Sequence, residues 1–526
     1  MASRMDVDQV FHIVGEVGAQ QILYFIYTAI LGGLFVSGEM LQIVFTGAAP
    51  EFQCWNGSTP SSSGCVNDRC EHPHYTSRFT SIATEWNLIC HDAYFVKMVQ
   101  AVFMSGVMSG AYVFGFISDQ YGRRRTLPFA AIAMSVMTFF GAFAPSLALH
   151  AICRFFAGMT TAAVALVTFV LMTELVGPSK RALLGTLFPC VFALGIGLHA
   201  ALAYFIPDWR HYSIATALLS ALFVPLALLL PESPRWLLLH GQRAKARQVL
   251  VDIAVRNGKV HCLPRTWDLQ EPKVHHKGSN PMLLFTSQTL RARTLIQIFL
   301  WLVNGITYYA LTMAASSLGG DLYMSTALSG LIELPGYLLS AFLLSYVGRR
   351  RSLCAVMLIG SGASIAMQFS DQLNYSTAVR DIVSLSAKMC IAMSFAMIYV
   401  YSAELMPTIV RNVGMGIVSV AARIGGIISP FVSLLDSLIP GLQFTVLGAM
   451  MLVSGLSALA LPETGGHHLP ETIEEIEDED KRPLLPPTAS GVFTRESVDE
   501  GIVELSSSSE DELYSVHQRP PVAYGS

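Results

Sequence analysis

The chain has 526 residues, of which 52% are hydrophobic and only 13% charged, with 33 Lys and Arg against 37 Asp and Glu and a net charge of −4. That is about half the charge density of an ordinary soluble domain, so the apolar surplus must face lipid rather than water. The charges are also segregated, arginines in short loops and acids in a tail after Leu461, which argues against nucleic acid as a partner.

In chain order, the start carries Asp6, Asp8 and Glu16 with no basic region ahead of an apolar run, so no removable signal peptide is expected. Val7, Val10, Phe11, Val14 and Val17 recur at helical spacing and predict an interfacial helix within residues 1–20, a cytoplasmic amino terminus. Stretches of about twenty apolar residues, the length that crosses hydrocarbon, then predict six spans at 21–45, 93–117, 126–144, 147–171, 182–206 and 214–230, together a bundle over 21–230. A polar loop at 47–92 follows the first span. It holds Cys54, Cys65, Cys70 and Cys90, which an oxidising exterior would pair in one of three ways, and Asn56-Gly57-Ser58, a glycosylation acceptor. His72 and His74 beside Cys65 and Cys70 match no standard zinc spacing, so no metal is expected.

Residues 231–293 read as a cytoplasmic linker whose basic, helix-compatible stretch meets anionic lipid headgroups. Six more spans follow at 295–315, 322–347, 353–369, 382–401, 413–435 and 444–461, a second bundle over 294–462. The tail, 463–526, is acidic and poor in apolar residues, which predicts disorder. Within it Asp480, Leu484 and Leu485 have the form of an acidic dileucine signal for trafficking adaptors. Basic residues at 123–125, 180–181, 235, 349–351 and 411 fall in alternate loops, which places both termini in the cytoplasm. The plasma membrane is the expected residence, with an endolysosomal membrane as the alternative.

One short cationic phrase occurs twice, Gly122-Arg123-Arg124-Arg125 and Gly348-Arg349-Arg350-Arg351, each between two apolar runs and about half the hydrophobic region apart. A doubled membrane bundle explains it. With six plus six spans, Arg154-Phe155-Phe156-Ala157-Gly158 and Pro231-Glu232-Ser233-Pro234-Arg235-Trp236-Leu237, the chain resembles the major facilitator superfamily. The resemblance implies an all-α membrane protein with twelve transmembrane helices in two pseudo-symmetric six-helix bundles. Phe79-Thr80-Ser81-Ile82-Ala83-Thr84-Glu85-Trp86 and Ala403-Glu404-Leu405-Met406-Pro407-Thr408 look like the organic cation, anion and zwitterion transporters of solute carrier family 22. The compact cysteine loop, Glu39 and Arg411-Asn412-Val413-Gly414-Met415-Gly416 look most similar to its member 15 type. The second loop departs from the pattern, with Ser345 where the first has Asp119.

The resemblance implies a cytoplasmic gate, closed when the outside is open, of salt bridges among Asp119, Arg123, Glu174, Arg181, Glu232, Arg235, Arg349, Glu404 and Arg411, with Gly122 and Gly348 in the same loops. The substrate site follows from cost. An ionisable group inside a span costs at least about 2.5 kcal/mol to insert and turns toward a partner or a wet cavity, which singles out Glu39, Glu333, Arg423 and Lys388. The position of Arg423 resembles an aspartate in the cation-preferring relatives and an arginine in the anion and carnitine-type ones. A guanidinium fork for a carboxylate with Glu39 opposite for an ammonium group describes a zwitterion. The alternative is that Arg423 pairs with Glu39 or Glu333 and only ties helices together. Tyr308 and Tyr309 occupy a stretch like the family's seventh-span binding segment and offer π-faces. His199 reads as a packing residue, and Arg154 resembles the superfamily's fourth-span arginine.

The expected function is therefore alternating-access transport of small organic ions, zwitterions foremost, with sodium or protons as possible coupling ions and no cofactor. Organic anion or cation transport and a non-transporting surface receptor are the alternatives. No nucleophile or phosphate-cradling loop suggests an enzyme.

Overall fold

A computed structural model of the chain describes residues 3–56, 59–61, 70, 73–264, 266–270, 281–314, 321–370, 375–407, 410–465 and 475. Ten of its helices are long and apolar enough to cross a membrane: Ala19–Thr46, Cys90–Tyr121, Arg123–Ala142, Leu147–Glu174, Pro178–Phe205, Trp209–Leu229, Gln288–Ala314, Leu322–Tyr346, Thr377–Leu405 and Val413–Asp436. Two shorter or more polar helices, Arg349–Gln368 and Leu442–Ala458, complete six in each half. They are called the first to twelfth spans in chain order.

Local chemistry sets the ends. Gly122 and Gly348 take φ of 93° and 100°, a region open to glycine, and turn the second span into the third and the eighth into the ninth. Ser146, Asp208 and Ser376 each accept a backbone N–H three residues on and so start the fourth, sixth and tenth spans. Close helix contacts use small residues, as expected in lipid. A Cβ on Gly110 would sit 2.1 Å from the Met159 carbonyl oxygen of the fourth span, and one on Gly305 would sit 2.3 Å from that of Ala422 in the eleventh.

Three features differ from the sequence expectation. The eighth span runs as one helix from Leu322 to Tyr346, but its hydrogen-bond pattern is interrupted at Ile332, between Leu322–Leu331 and Glu333–Tyr346, where the backbone angles stay helical. The first contains a π-helical turn, Ile30–Phe35, carrying Gly32 and Gly33. The amino-terminal helix Val7–Val14 does carry the predicted apolar stripe, but Val7, Val10, Phe11 and Val14 are buried against Leu250, Ile253, Trp267 and Leu269 of the linker rather than turned to lipid. Strand β1 (Ser3–Met5) pairs in parallel with Trp267–Leu269 of the same linker. The amino terminus and the linker helix Arg243–Arg256 thus form one packed unit with the first half.

In the loop after the first span, Phe52–Asn56 pairs antiparallel with Thr59–Ser61 and with Pro73–Tyr75. Cys54 is bonded to Cys70, and Cys90 is also in a disulfide. Cys65 and the trafficking residues Asp480, Leu484 and Leu485 lie outside the described residues.

Candidate functional site

The two Gly-Arg turns build the same cluster twice. After the sixth span, Glu232 accepts the backbone N–H groups of Arg123 (2.9 Å) and Arg124 (3.2 Å). After the twelfth, Glu463 accepts those of Arg349 (2.7 Å) and Arg350 (3.1 Å). Each carboxylate fills the orphan donors at a helix start, and each glycine is required there: a Cβ would fall 2.2 Å from Glu232 Oε2 and 2.8 Å from Glu463 Oε2. Burial works to raise the Glu463 carboxyl, but the N–H groups of Arg349, Gly465 and Arg350 hold it below its usual range.

The arginine side chains complete the pattern. Arg123 meets Glu174 at 3.3 Å and Arg349 meets Glu404 at 3.0 Å, while their Nη1 atoms donate to the carbonyls of Ser118 and Leu344. The asymmetry read in the sequence has a geometric counterpart. Arg123 gains a second ion pair with Asp119 at 3.0 Å, whereas Ser345 donates within its own helix to the Ala341 carbonyl. Arg181 and Arg235 both turn to Asp8 of the amino-terminal helix, Arg181 at 2.7 Å. Burial works to raise the Asp8 carboxyl, yet hydrogen bonds from Arg235 and Arg181 and their charges bring it below its usual range. Arg411 donates from Nε to the Met406 carbonyl at 3.2 Å.

Within the bundle the ionisable groups sort themselves. Glu39 is fully buried; both its oxygens accept the Thr138 hydroxyl at 2.9 Å, and it lies 3.3 Å from Arg154, which also donates to the Glu39 carbonyl and to Gln42. Every one of these groups belongs to the first half. Glu333, at the interruption in the eighth span, lies 2.9 Å from Lys388 and accepts the hydroxyls of Tyr308 (3.0 Å) and Tyr337 (2.8 Å). All of these belong to the second half. Arg423 differs: it donates to the carbonyl and hydroxyl of Ser419, its Nε is buried without a hydrogen bond, and no carboxylate among the described residues lies within 4.0 Å.

Arg423 sits midway along the eleventh span, about one turn before Gly426, where a Cβ would lie 3.3 Å from the Tyr309 ring. Tyr309 reaches across to Met40 of the first half, its hydroxyl 3.7 Å from the sulfur. Behind it stands an aromatic wall, with Tyr308 edge-on to Tyr309 at 5.3 Å, Phe395 at 5.7 Å from Tyr308, and Tyr399 at 4.4 Å from Trp301. The half-to-half contacts extend from here toward the cysteine loop. Phe45 stacks on Tyr323 at 6.0 Å, Tyr204 meets the same ring at 5.6 Å, and Gly330 packs on Ile196. Toward the Gly-Arg end, no atom of another helix among the described residues lies within 4 Å of a Cβ built on Gly185 of the fifth span or Gly416 of the eleventh. The half-to-half contacts through Tyr323 and Gly330 gather toward the cysteine-loop end.

Of the residues expected at a central site, Tyr308 and Tyr309 are in contact and the eleventh span that carries Arg423 packs on Tyr309, Lys388 and Glu333 pair behind the Tyr308 ring, and Glu39 pairs with Arg154 rather than with Arg423. Sequence reading missed Asp8 and Glu463. For Glu463 the signal was present, since Leu461-Pro462-Glu463-Thr464 echoes Leu230-Pro231-Glu232-Ser233.

Comparison with known proteins fits this architecture. Residues 49–476 match the sugar (and other) transporter family. The chain is 35% identical over 476 residues to solute carrier family 22 member 15-like of Xenopus laevis, covering 90% of this chain and 96% of that one. It is 35% identical over 454 residues to the organic cation transporter protein of Drosophila melanogaster, covering 84% and 82%. The structure of the proton:xylose symporter XylE of the major facilitator superfamily superposes with a TM-score of 0.62 at 19% identity, over 88% of this chain and 100% of that one, which speaks to the fold alone. This multi-pass membrane protein belongs to solute carrier family 22 of the major facilitator superfamily, a family of transporters and not of enzymes.

Proposed function

We propose that the chain carries small carboxylate-bearing organic ions, foremost zwitterions of the carnitine or betaine kind, by alternating access. The observation that carries this reading is Arg423, a cation midway along the eleventh span with no acidic partner among the described residues, on the helix that packs against Tyr309 where the halves meet. An unpaired guanidinium in a low-dielectric setting favours a carboxylate as its partner, held in a planar fork. The quaternary ammonium of the same solute lies against the faces of Tyr309, Phe395 and Tyr399, each contact contributing about 0.5–2 kcal/mol. Glu39, closed off by Arg154 and Thr138, is not needed in this arrangement.

Basic residues in alternate loops support a cytoplasmic Gly-Arg end, with both termini inside and the plasma membrane as the working membrane. The partly wet ion pairs of Arg123 with Asp119 and Glu174, of Arg181 and Arg235 with Asp8, and of Arg349 with Glu404, each worth about 0–1 kcal/mol, suit a gate rearranged every cycle. Sodium or protons are the candidate coupling ions, and trafficking adaptors the candidate partners of the tail.

Radiotracer uptake of a betaine-like zwitterion and of its methyl ester, measured in surface-expressed wild type and Arg423→Asp, tests the assignment. Wild type is expected to prefer the zwitterion and Arg423→Asp the cationic ester; unchanged preference overturns it. The engaged state of Glu39 favours a second reading, transport of plain organic anions. Equal uptake of a monocarboxylate lacking any ammonium group would select it.

A further inference from the structure

The cluster around Lys388 has the composition of a binding box for a ligand ammonium. Its Nζ lies 2.9 Å from Glu333 Oε1 and 3.4 Å from the centroid of the Tyr308 ring, and it donates to the Thr312 hydroxyl. A carboxylate, a π-face and a hydroxyl acceptor are what an organic cation recruits on leaving water. The second carboxylate oxygen is oriented by the Tyr337 hydroxyl. Glu333 is 0% exposed and Lys388 1%, so the box is closed. Its place is equally informative: Tyr308, which forms one side, touches Tyr309 and Phe395 of the wall beside Arg423, and Glu333 follows the interruption in the eighth span.

We propose that Lys388 is a tethered occupant of an ammonium site and thereby a specificity-determining residue. The tenth span delivers the chain's own cation, on a four-carbon stem, to the position a solute cation would take. Glu333 and the Tyr308 face are consequently spent on Lys388, and Arg423 is left as the charge that selects among solutes. The inference rests on the reading of the aromatic wall as part of the solute site. It predicts the chemical class the emptied box accepts: alkylammonium ions of about the size of the deleted stem. Removing the tether leaves Glu333 buried and uncompensated, a strong demand for a replacement cation.

The test is Lys388→Ala in the full chain, purified, with n-butylammonium as probe and n-butanol as its neutral counterpart. Butylammonium at 100 times its dissociation constant is expected to raise the melting temperature of Lys388→Ala by about 3 °C or more. It should leave wild type and Lys388→Ala/Glu333→Gln unmoved, and butanol should move none of them. In cells, Lys388→Ala should take up small alkylammonium ions at least tenfold faster than wild type. A Lys388→Ala protein that melts identically with and without butylammonium overturns the proposal. Should that variant be too unstable to purify, its surface expression is expected to recover when cells are grown with butylammonium, and no recovery overturns the proposal as well. The melting readout does not pass through Arg423, so it separates failure here from failure of the carboxylate assignment.

Discussion

Replacing Glu39 asks whether that carboxylate ties helices or serves the solute. Glu39 is fully buried, Arg154 is 4% exposed, and the two meet at 3.3 Å, with Thr138 and Gln42 satisfying the remaining lone pairs and donors. Glu39→Met leaves a guanidinium buried without its counter-ion, which costs about 3–5 kcal/mol. Replacing both, as Glu39→Met/Arg154→Met, removes two desolvated charges together and is expected to cost far less than either single change, with a double-mutant coupling of several kcal/mol. The assay is thermal unfolding of the detergent-purified protein, with surface abundance as the cellular counterpart. Glu39→Met and Arg154→Met should each melt well below wild type and the double variant should recover much of the loss. Single variants as stable as wild type, or a double variant worse than both, would refute the reasoning. A Glu39→Gln protein that keeps its stability and loses only zwitterion uptake would return Glu39 to the solute site.

Two other predictions follow from the Gly-Arg end. Gly122→Ala is expected to reduce stability and surface abundance more than Gly348→Ala, because the added Cβ meets Glu232 at 2.2 Å but Glu463 at 2.8 Å, at nearly equal positive φ; equal effects would contradict the capping account. Asp8, held below its ordinary value near 3.8 by Arg235 and Arg181, contributes stability that is complete above that value and fades as pH falls below it through the lowered one. Comparing the melting temperature of wild type with Asp8→Asn should show a small gap, about 1 kcal/mol or less for so exposed a cluster, constant above pH 5 and closing below pH 4. A gap that widens on acidification would reverse the sign.

Much of this was legible in the chain itself. The twelve apolar runs, the doubled Gly-Arg phrase and the intramembrane charges follow from length and period alone. Pairing did not, because it depends on helix rotation and depth: Arg154 lies 115 residues from Glu39, and Arg235 lies 227 from Asp8. The valines before the first span show the same limit. Their spacing defined an apolar face and said nothing of its cover, which turns out to be Leu250 and Ile253 of the linker. Four cysteines left three pairings open, and only the strand register that sets Cys54 opposite Pro73 explains why Cys70 is close enough to bond.

The central claim concerns where the solute's carboxylate goes. A structure of the protein with a betaine-like zwitterion bound measures it directly. The account predicts that carboxylate within hydrogen-bonding distance of the Arg423 guanidinium and the ammonium group against Tyr309, Phe395 or Tyr399. A carboxylate on Arg154 or Lys388, with Arg423 turned to lipid, would contradict it.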